Sequence, residues 1–272
     1  MANFIRNMSI LLVVYLRSNR QYVTMSNTFG TLSWGKQNLG KLSTFEKFTY
    51  LSSLGLRQIY AKLGPDSKSR KALFKDLDKI EIPKSSIVQV SQQLIKDSAP
   101  DWLLNHSFRT FYWAALLSLI EDQKIDYEIL YIASLLHDLA LTEKFAPPVG
   151  KCFAVHGAES ALSFLQQNQY PSRQSMVVSD AIAMHLNSCI SNQHTEAIAL
   201  NRGAALDVVG AGLKNIAPEV LQTILQNYPL LQMKTCLCGE MKKQAINSPS
   251  SRISLLVSNG FIQMIEKSKL GR

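Results

Sequence analysis

The sequence contains few cysteines, and their spacing forms no recognisable site. Four cysteines in 272 residues are too few for a disulfide scaffold in a chain of this length. Two of them lie in the CLC of residues 236–238 with one residue between them, whereas zinc sites use about two to four intervening residues. We therefore expect reduced thiols and a cytoplasmic protein.

Apolar runs long enough to cross a membrane are also lacking. The stretch MSILLVVYL at residues 8–16 falls well short of the roughly 20 residues that a spanning helix needs. Its length would suit the core of a signal peptide, but Arg17 and Arg20 follow it and no A-x-A-like cleavage site is present. An alternative is that Met25 is the true start and that residues 1–24 form a leader. The sequence predicts no transmembrane span.

Acidic residues are scarce outside the middle of the chain. The net charge is +9, and the excess of Lys and Arg lies in residues 1–100 and 241–272. Residues 101–240, which hold all five histidines, contain more Asp and Glu than Lys and Arg. A basic flank could contact nucleic acid or an anionic membrane, but the sequence has no recognisable nucleic-acid-binding motif. A small-molecule substrate is favoured over nucleic acid as the partner, and a homo-oligomer is left open.

The pattern of apolar residues indicates an all-α fold. Strand-type alternation is scarce, and apolar residues in the second half of the chain recur with a period near 3.6. We expect a basic N-terminal extension at residues 1–81, a helical domain at 82–240 and a basic C-terminal tail at 241–272. In the extension, residues 26–44 are expected to form a loop and 45–62 a helix. Within the domain, helices are expected at 86–97, 106–121, 126–140, 156–168, 174–186, 195–212 and 218–226.

One buried helix carries an adjacent histidine and aspartate, His137 and Asp138, in the segment LLHDLALTEKF at residues 135–145. A buried carboxylate costs several kcal/mol unless it is paired, hydrogen-bonded or bound to metal. One such group is more often a hydrogen-bonded core residue, but six polar groups at helix ends or on inner faces predict a site for Zn, Fe or Mn. His194, in the polar segment SNQHTE, is predicted to lie at the surface. The four further groups of the predicted site are His106, His156, His185 and Asp207.

Several segments, taken in order, reproduce the H…HD…D signature of the HD superfamily of metal-dependent hydrolases. Within that superfamily they resemble the cyanamide hydratases and their HD-domain relatives. The resemblance covers residues 82–240 and implies an all-α helical bundle with a metal site between its helices. The matching segments are LNHSFR (104–109), EILYIASLLHDLALTEK (128–144), FAVHGAESA (153–161), AIAMH (181–185), LDVVG (206–210) and YPLLQMKTCL (228–237).

The resemblance also implies which residues bind metal. His156 and His185 match two histidines that some HD phosphohydrolases use for a second metal. The cyanamide hydratases have no histidine at the position of His156, so the resemblance leaves one or two ions open. The implied ligands of the first ion are His106, His137, Asp138 and Asp207.

Four further residues match motifs of the hydratase-like group. Thr142 and Lys144 match the T-x-K after HD and would orient the substrate as catalytic residues, with helix capping and surface charge as the alternative. Asn105 and Arg109 match the N-H-S-x-R stretch. Arg109 would support the ligands by holding a carboxylate behind them, or would bind a substrate anion. Asp138 would also transfer a proton during the reaction.

Three functions are compatible with these residues. The favoured one is a metal-dependent hydrolase or hydro-lyase that adds metal-activated water to a nitrile-like carbon, as in the conversion of cyanamide to urea. The alternative is an HD-type phosphohydrolase that uses two ions on a nucleotide or phosphomonoester. A third is an inactive HD scaffold or binding module that docks on a partner through its basic N-terminal region.

Overall fold

The computed structural model describes residues 28–63, 71–192 and 194–271. For residues 56–63 it describes the helical backbone and not the side chains. Within these ranges the regular structure is helical, apart from two isolated β-bridges. The predicted all-α fold is therefore confirmed. In chain order the α-helices are α1 Leu32–Asn38, α2 Thr44–Leu63, α3 Phe74–Leu77, α4 Ser86–Ser98, α5 Asp101–Ile120, α6 Tyr127–Leu136, α7 Phe153–Gln167, α8 Ser172–Met184, α9 Thr195–Val209, α10 Pro218–Asn227, α11 Met233–Asn247, α12 Arg252–Ser258 and α13 Phe261–Lys267.

The helix that leads into the adjacent His and Asp ends earlier than predicted. The sequence predicts one helix over residues 126–140, but α6 ends just before His137 and a short 3-10 turn follows at Leu139–Leu141. The His137 ring donates through Nδ1 to the Ser134 carbonyl oxygen at 2.8 Å. The backbone then leaves the helical conformation at Asp138, which has φ −108° and ψ 18°. Because the helix stops here, two neighbouring side chains that would diverge by about 100° on a regular helix face the same point.

The prediction of a loop over residues 26–44 is wrong for the segment that forms α1. This helix begins after Thr31, whose hydroxyl accepts a hydrogen bond from the Trp34 backbone N–H at 3.3 Å. Leu39, at φ 59°, takes the left-handed conformation and ends it. Threonine at the N-cap is a start signal that the Gly- and Ser-rich composition of the segment hides.

The centre of the fold is the close packing of α5 against α9. Both helices are largely buried, and Gly203 on α9 lies directly against the backbone of α5. A Cβ atom at Gly203 would overlap the carbonyl oxygen of Thr110 and the side chain of Ala114. Because glycine allows this approach, Asp207, one turn further along α9, reaches the inner face of α5.

The two ends of the chain fold onto this core in the ranges that the structure describes. The segment 241–272, expected as a basic tail, contains the end of α11 together with α12 and α13, and its Ile253 and Ile265 are fully buried. α2 of the N-terminal extension packs its Tyr50 against the loop after α8, where the phenol donates to the Leu186 carbonyl oxygen. Met25 lies outside the described residues.

The state of the thiols and the lengths of the helices bear on two expectations from the sequence, reduced cysteines and the lack of a transmembrane span. All four cysteines are free. In the part of the chain that the structure describes, no helix is both long and apolar enough to cross a bilayer.

Candidate metal centre

Three imidazole nitrogens and one carboxylate converge where α5, α6 and α8 meet. His106 Nε2 lies 3.1 Å from His137 Nε2 and 3.5 Å from Asp138 Oδ2. His137 Nε2 lies 3.3 Å from the same carboxylate oxygen. His185, directly after α8, places its Nε2 3.5 Å from the other oxygen, Asp138 Oδ1. His106, His137 and Asp138 are buried and each offers a ligand atom within 4.8 Å of the others, so these three residues could hold a metal ion.

The opposite ring nitrogen of each histidine is held by the protein. His106 Nδ1 lies 2.7 Å from Asp207 Oδ2, His137 Nδ1 lies 2.8 Å from the Ser134 carbonyl oxygen, and His185 Nδ1 lies 2.7 Å from the Ile182 carbonyl oxygen. Carboxylate and carbonyl oxygens only accept, so each Nδ1 carries the hydrogen. The Nε2 atoms are then the ones that turn towards Asp138. Metal-bound imidazoles are oriented in this way.

The charges of the cluster are strongly coupled. Burial lowers the pKa of His106, but the Asp138 and Asp207 carboxylates outweigh this effect and raise it to about 9. Burial raises the pKa of Asp138, but the imidazoles of His137 and His106 hold it well below its usual range. Burial lowers the pKa of His185 to about 4 against the opposing effect of Asp138. At neutral pH the site therefore contains ionised carboxylates and a neutral His185.

The donor set fits a divalent transition metal. Asp138 Oδ1 is buried and has no hydrogen-bond partner among the described residues, a state that is costly for a carboxylate oxygen. A cation held by Asp138 and the imidazoles would offset this charge. Imidazole nitrogens with a carboxylate oxygen suit Zn and Fe, and carboxylates also suit Mn.

Asp207, which the resemblance implies is a ligand, lies behind His106. Its Oδ1 accepts from Arg109 Nε at 2.8 Å and from Trp113 Nε1 at 2.7 Å. Its Oδ2 accepts from Arg109 Nη2 at 2.8 Å and faces His106 Nδ1. Burial raises the pKa of Asp207, but the Arg109 guanidinium lowers it below the usual range. Both oxygens are thus occupied by donors, and the carboxylate orients the His106 ring.

Trp113 belongs to this arrangement but is absent from the sequence-based site. It lies on the same side of α5 as His106, seven residues further on, and is fully buried. That spacing was the available signal. The indole N–H of Trp113 donates a hydrogen bond to Asp207. These two residues are far apart in the sequence, so the sequence alone does not reveal the contact.

Other predicted site residues lie outside the cluster. His156, on α7, is beside the ion pair of Lys151 and Glu159, and its Nδ1 lies 3.9 Å from Glu159 Oε2. Burial lowers the pKa of His156, and the nearby Lys151 ammonium lowers it further. The described contacts of His156 do not reach Asp138, so the second-metal role that the resemblance implies for His156 has no support in this geometry.

The residues that flank the two histidine motifs make structural contacts. Thr142 is buried and donates to the Leu139 carbonyl oxygen at 2.8 Å. Lys144 is exposed and lies over the Phe145 ring. Asn105 donates to the Pro229 carbonyl oxygen at 3.0 Å, which holds the chain after α10 next to α5.

A cavity of about 520 Å³ opens onto the cluster. His106, His137, Asp138 and His185 lie in its wall, and the remaining lining is mainly apolar and aromatic. Among the described residues that line it, none is Lys or Arg. Neither Thr142 nor Lys144 belongs to this lining. The cluster is therefore reached through a largely apolar chamber whose described lining contains no Lys or Arg.

Comparison with known proteins agrees with this helical fold and this cluster. Residues 103–210 match the family model of the HD domain, and this range includes the three histidines of the cluster together with Asp138 and Asp207. The chain therefore contains an HD domain. It is also similar to two cyanamide hydratases of Saccharomyces cerevisiae, DDI2 and DDI3, with 25% identity to each over 183 residues, which is 64% of this chain and 79% of theirs. The resemblance to the HD superfamily and to its cyanamide hydratase-like group, drawn above from the motifs, is confirmed.

Proposed function

We propose that this protein is a metal-dependent hydratase that adds water to a nitrile-type carbon, and that cyanamide, which yields urea, is the simplest substrate to test. The observation that carries the proposal is the convergence of imidazole Nε2 atoms on Asp138 in the wall of a cavity without a described Lys or Arg. Similarity to two cyanamide hydratases supports the same reaction.

We assign the metal to His106, His137 and Asp138, with His185 as a further donor on the Oδ1 side of the carboxylate. One ion accounts for these groups, because His156 lies beside Lys151 and Glu159 instead. The ion is a divalent transition metal, with Zn or Fe preferred over Mn because imidazole donors outnumber carboxylates. When bound, such an ion polarises the substrate and lowers the pKa of water from 15.7 towards about 7.

The protein groups then move protons and position the substrate. Hydration of R–C≡N consumes one water: its oxygen forms the new bond to carbon, and both of its protons end on the product amide. Asp138, with an oxygen that lacks a described hydrogen-bond partner, takes the proton that leaves water and returns it to the nitrile nitrogen.

A phosphohydrolase is the second candidate, and the charges near the site disfavour it. A phosphate substrate needs cationic side chains or several metal ions to offset its charge. Arg109 is bound to Asp207 and to the Tyr228 and Pro229 carbonyl oxygens, and Lys144 lies over Phe145. Neither of these cations lines the cavity. An inactive scaffold is the third candidate, and the converging metal donors count against it.

An assay of two reactions separates these candidates. The metal-loaded protein is incubated with cyanamide and, separately, with p-nitrophenyl phosphate and nucleoside monophosphates, and urea and inorganic phosphate are measured. We expect urea formation that falls at least about 1,000-fold in His137→Ala and is unchanged in His194→Ala, a histidine outside the cluster. Phosphate release without urea would support the phosphohydrolase, and neither product would support the scaffold.

A further inference from the structure

The cavity in front of the metal cluster is much larger than cyanamide requires. Its volume of about 520 Å³ lies in the range of about 300–1,000 Å³ that is typical of pockets for larger organic ligands. Cyanamide has only three non-hydrogen atoms, whereas a single water, with one, occupies about 30 Å³ in the liquid. A chamber of this size would leave cyanamide loosely held and surrounded by water.

Two amide side chains of the cavity lining, those of Asn187 and Asn201, are already engaged in hydrogen bonds. Asn187 accepts from the buried Arg252 guanidinium and donates to the Phe29 carbonyl oxygen at 3.0 Å. Asn201 donates to the His185 carbonyl oxygen at 2.6 Å and to the Asn187 carbonyl oxygen at 3.1 Å. These side chains hold the site together, so a substrate would meet mostly apolar surface beyond the metal cluster.

Much of that apolar surface comes from outside the range that matches the HD domain. α2 contributes Leu51 and Leu54 from the N-terminal side, before residue 103. Five large apolar residues of the lining follow residue 210. They are Leu237 and Met241 on α11, Leu256 on α12, and Phe261 and Met264 on α13. The parts of the chain that flank the HD domain therefore shape the far end of the chamber.

We infer that the physiological substrate carries an apolar body attached to the reacting group, with the nitrile-type carbon at Asp138 and the body against α2, α11 and α13. This inference rests on the proposed hydration and specifies its substrate class as an N-substituted cyanamide or an organic nitrile. For the former, R–NH–C≡N and one water give R–NH–C(=O)–NH2, so that no other reactant is consumed. The lack of a described cationic side chain in the lining disfavours a phosphate or carboxylate on the body.

The test is a substrate series in which only the apolar body changes. Cyanamide, ethylcyanamide and benzylcyanamide have the same reacting group, and each gives a urea that can be quantified by chromatography. Because burial of a phenyl group is as favourable as burial of a Phe side chain, we expect kcat/KM to be about 10- to 100-fold higher for benzylcyanamide than for cyanamide. Equal values, or a preference for cyanamide, would overturn the inference.

Two glycines offer a matched pair of variants that test where the body binds. Gly55 lines the cavity on α2, and among the described atoms nothing lies within 4 Å of a Cβ built there. Gly239 lies on α11, is exposed, does not line the cavity, and also has nothing described within 4 Å. We expect Gly55→Phe to reduce the benzylcyanamide-to-cyanamide ratio of kcat/KM at least about tenfold and Gly239→Phe to leave it unchanged. An unchanged ratio in folded Gly55→Phe would overturn the assignment of the binding region.

The inference can fail separately from the proposed hydration. If no compound of the series is hydrated, the proposed function is wrong. Calorimetry with benzylurea and urea then tests, independently of catalysis, whether the cavity binds an apolar ligand. Binding of benzylurea at least about tenfold tighter than urea would support an apolar ligand. Equal binding of both, or binding of neither, would overturn it.

Discussion

Replacement of Asp138 by alanine is expected to remove the metal ion and to lower the hydration rate at least about 1,000-fold. Asp138 is the carboxylate shared by the cluster, since Nε2 atoms of His106, His137 and His185 all lie within 3.5 Å of one of its oxygens. Without it, three imidazoles remain and no described carboxylate oxygen faces the centre. The readouts are metal content per chain by mass spectrometry and the rate of urea formation.

Two controls make the result interpretable. Asp138→Asn keeps the volume of the side chain while it removes the charge, and circular dichroism shows whether either variant has lost its helices. His156→Ala removes a histidine that lies outside the cluster, so it is expected to retain the full metal content. A folded Asp138→Ala that still binds one ion per chain would contradict the assignment. Loss of half the metal in His156→Ala would indicate a second ion.

Replacement of Asp207 by asparagine is expected to have two separate effects, because Asp207 positions His106 and also neutralises Arg109. Metal affinity should weaken about 10- to 100-fold, as is typical when the group behind a metal-bound histidine is changed. At saturating metal, however, the chain should still bind about one ion. A group that is itself a ligand would reduce this stoichiometry, as we expect for Asp138.

The same variant should be markedly less stable. Arg109 and Asp207 are both fully buried, and removal of one partner of a buried ion pair typically costs about 3–5 kcal/mol. In a chain of this size that corresponds to a fall in Tm of about 10 °C. Glu159→Gln is the control, because its partly exposed ion pair with Lys151 should contribute only about 0–1 kcal/mol. A Tm within a few degrees of the wild type for Asp207→Asn would contradict the neutralising role.

Helical spacing was sufficient to predict that His185 and Asp207 are buried. Val178 and Ile182 of α8 share one stripe with His185, which directly follows this helix. Leu200, Gly203 and Asp207 share one face of α9. In both stripes the polar residue is buried together with its apolar neighbours. Periodicity therefore identified buried polar groups correctly, since it depends only on local geometry.

The contacts of these groups depend on packing, and the spacing could not provide them. Asp207 faces His106 and Arg109 because α5 and α9 cross at Gly203. From the sequence, the resemblance implies that its carboxylate is one of the metal ligands. His156 also lies at a helix start, but the neighbouring Lys151 and Glu159 pair defines its surroundings. The direction of a side chain from a helix end follows from tertiary packing.

The walls of the cavity were the least predictable feature. Leu54 and Phe261 were assigned to an extension and a tail, because neither segment resembles the HD-domain motifs. In the structure they line the same chamber as His185. Their positions depend on contacts between distant parts of the chain, which a single sequence does not reveal.

The number of metal ions per chain tests the central claim most directly. The full-length protein, purified without added metal or chelator, is analysed by inductively coupled plasma mass spectrometry against its concentration from amino-acid analysis. A single centre held by His106, His137 and Asp138 predicts about one ion of Zn or Fe per chain. About two ions per chain, or no bound ion even after incubation with these metals, would contradict it.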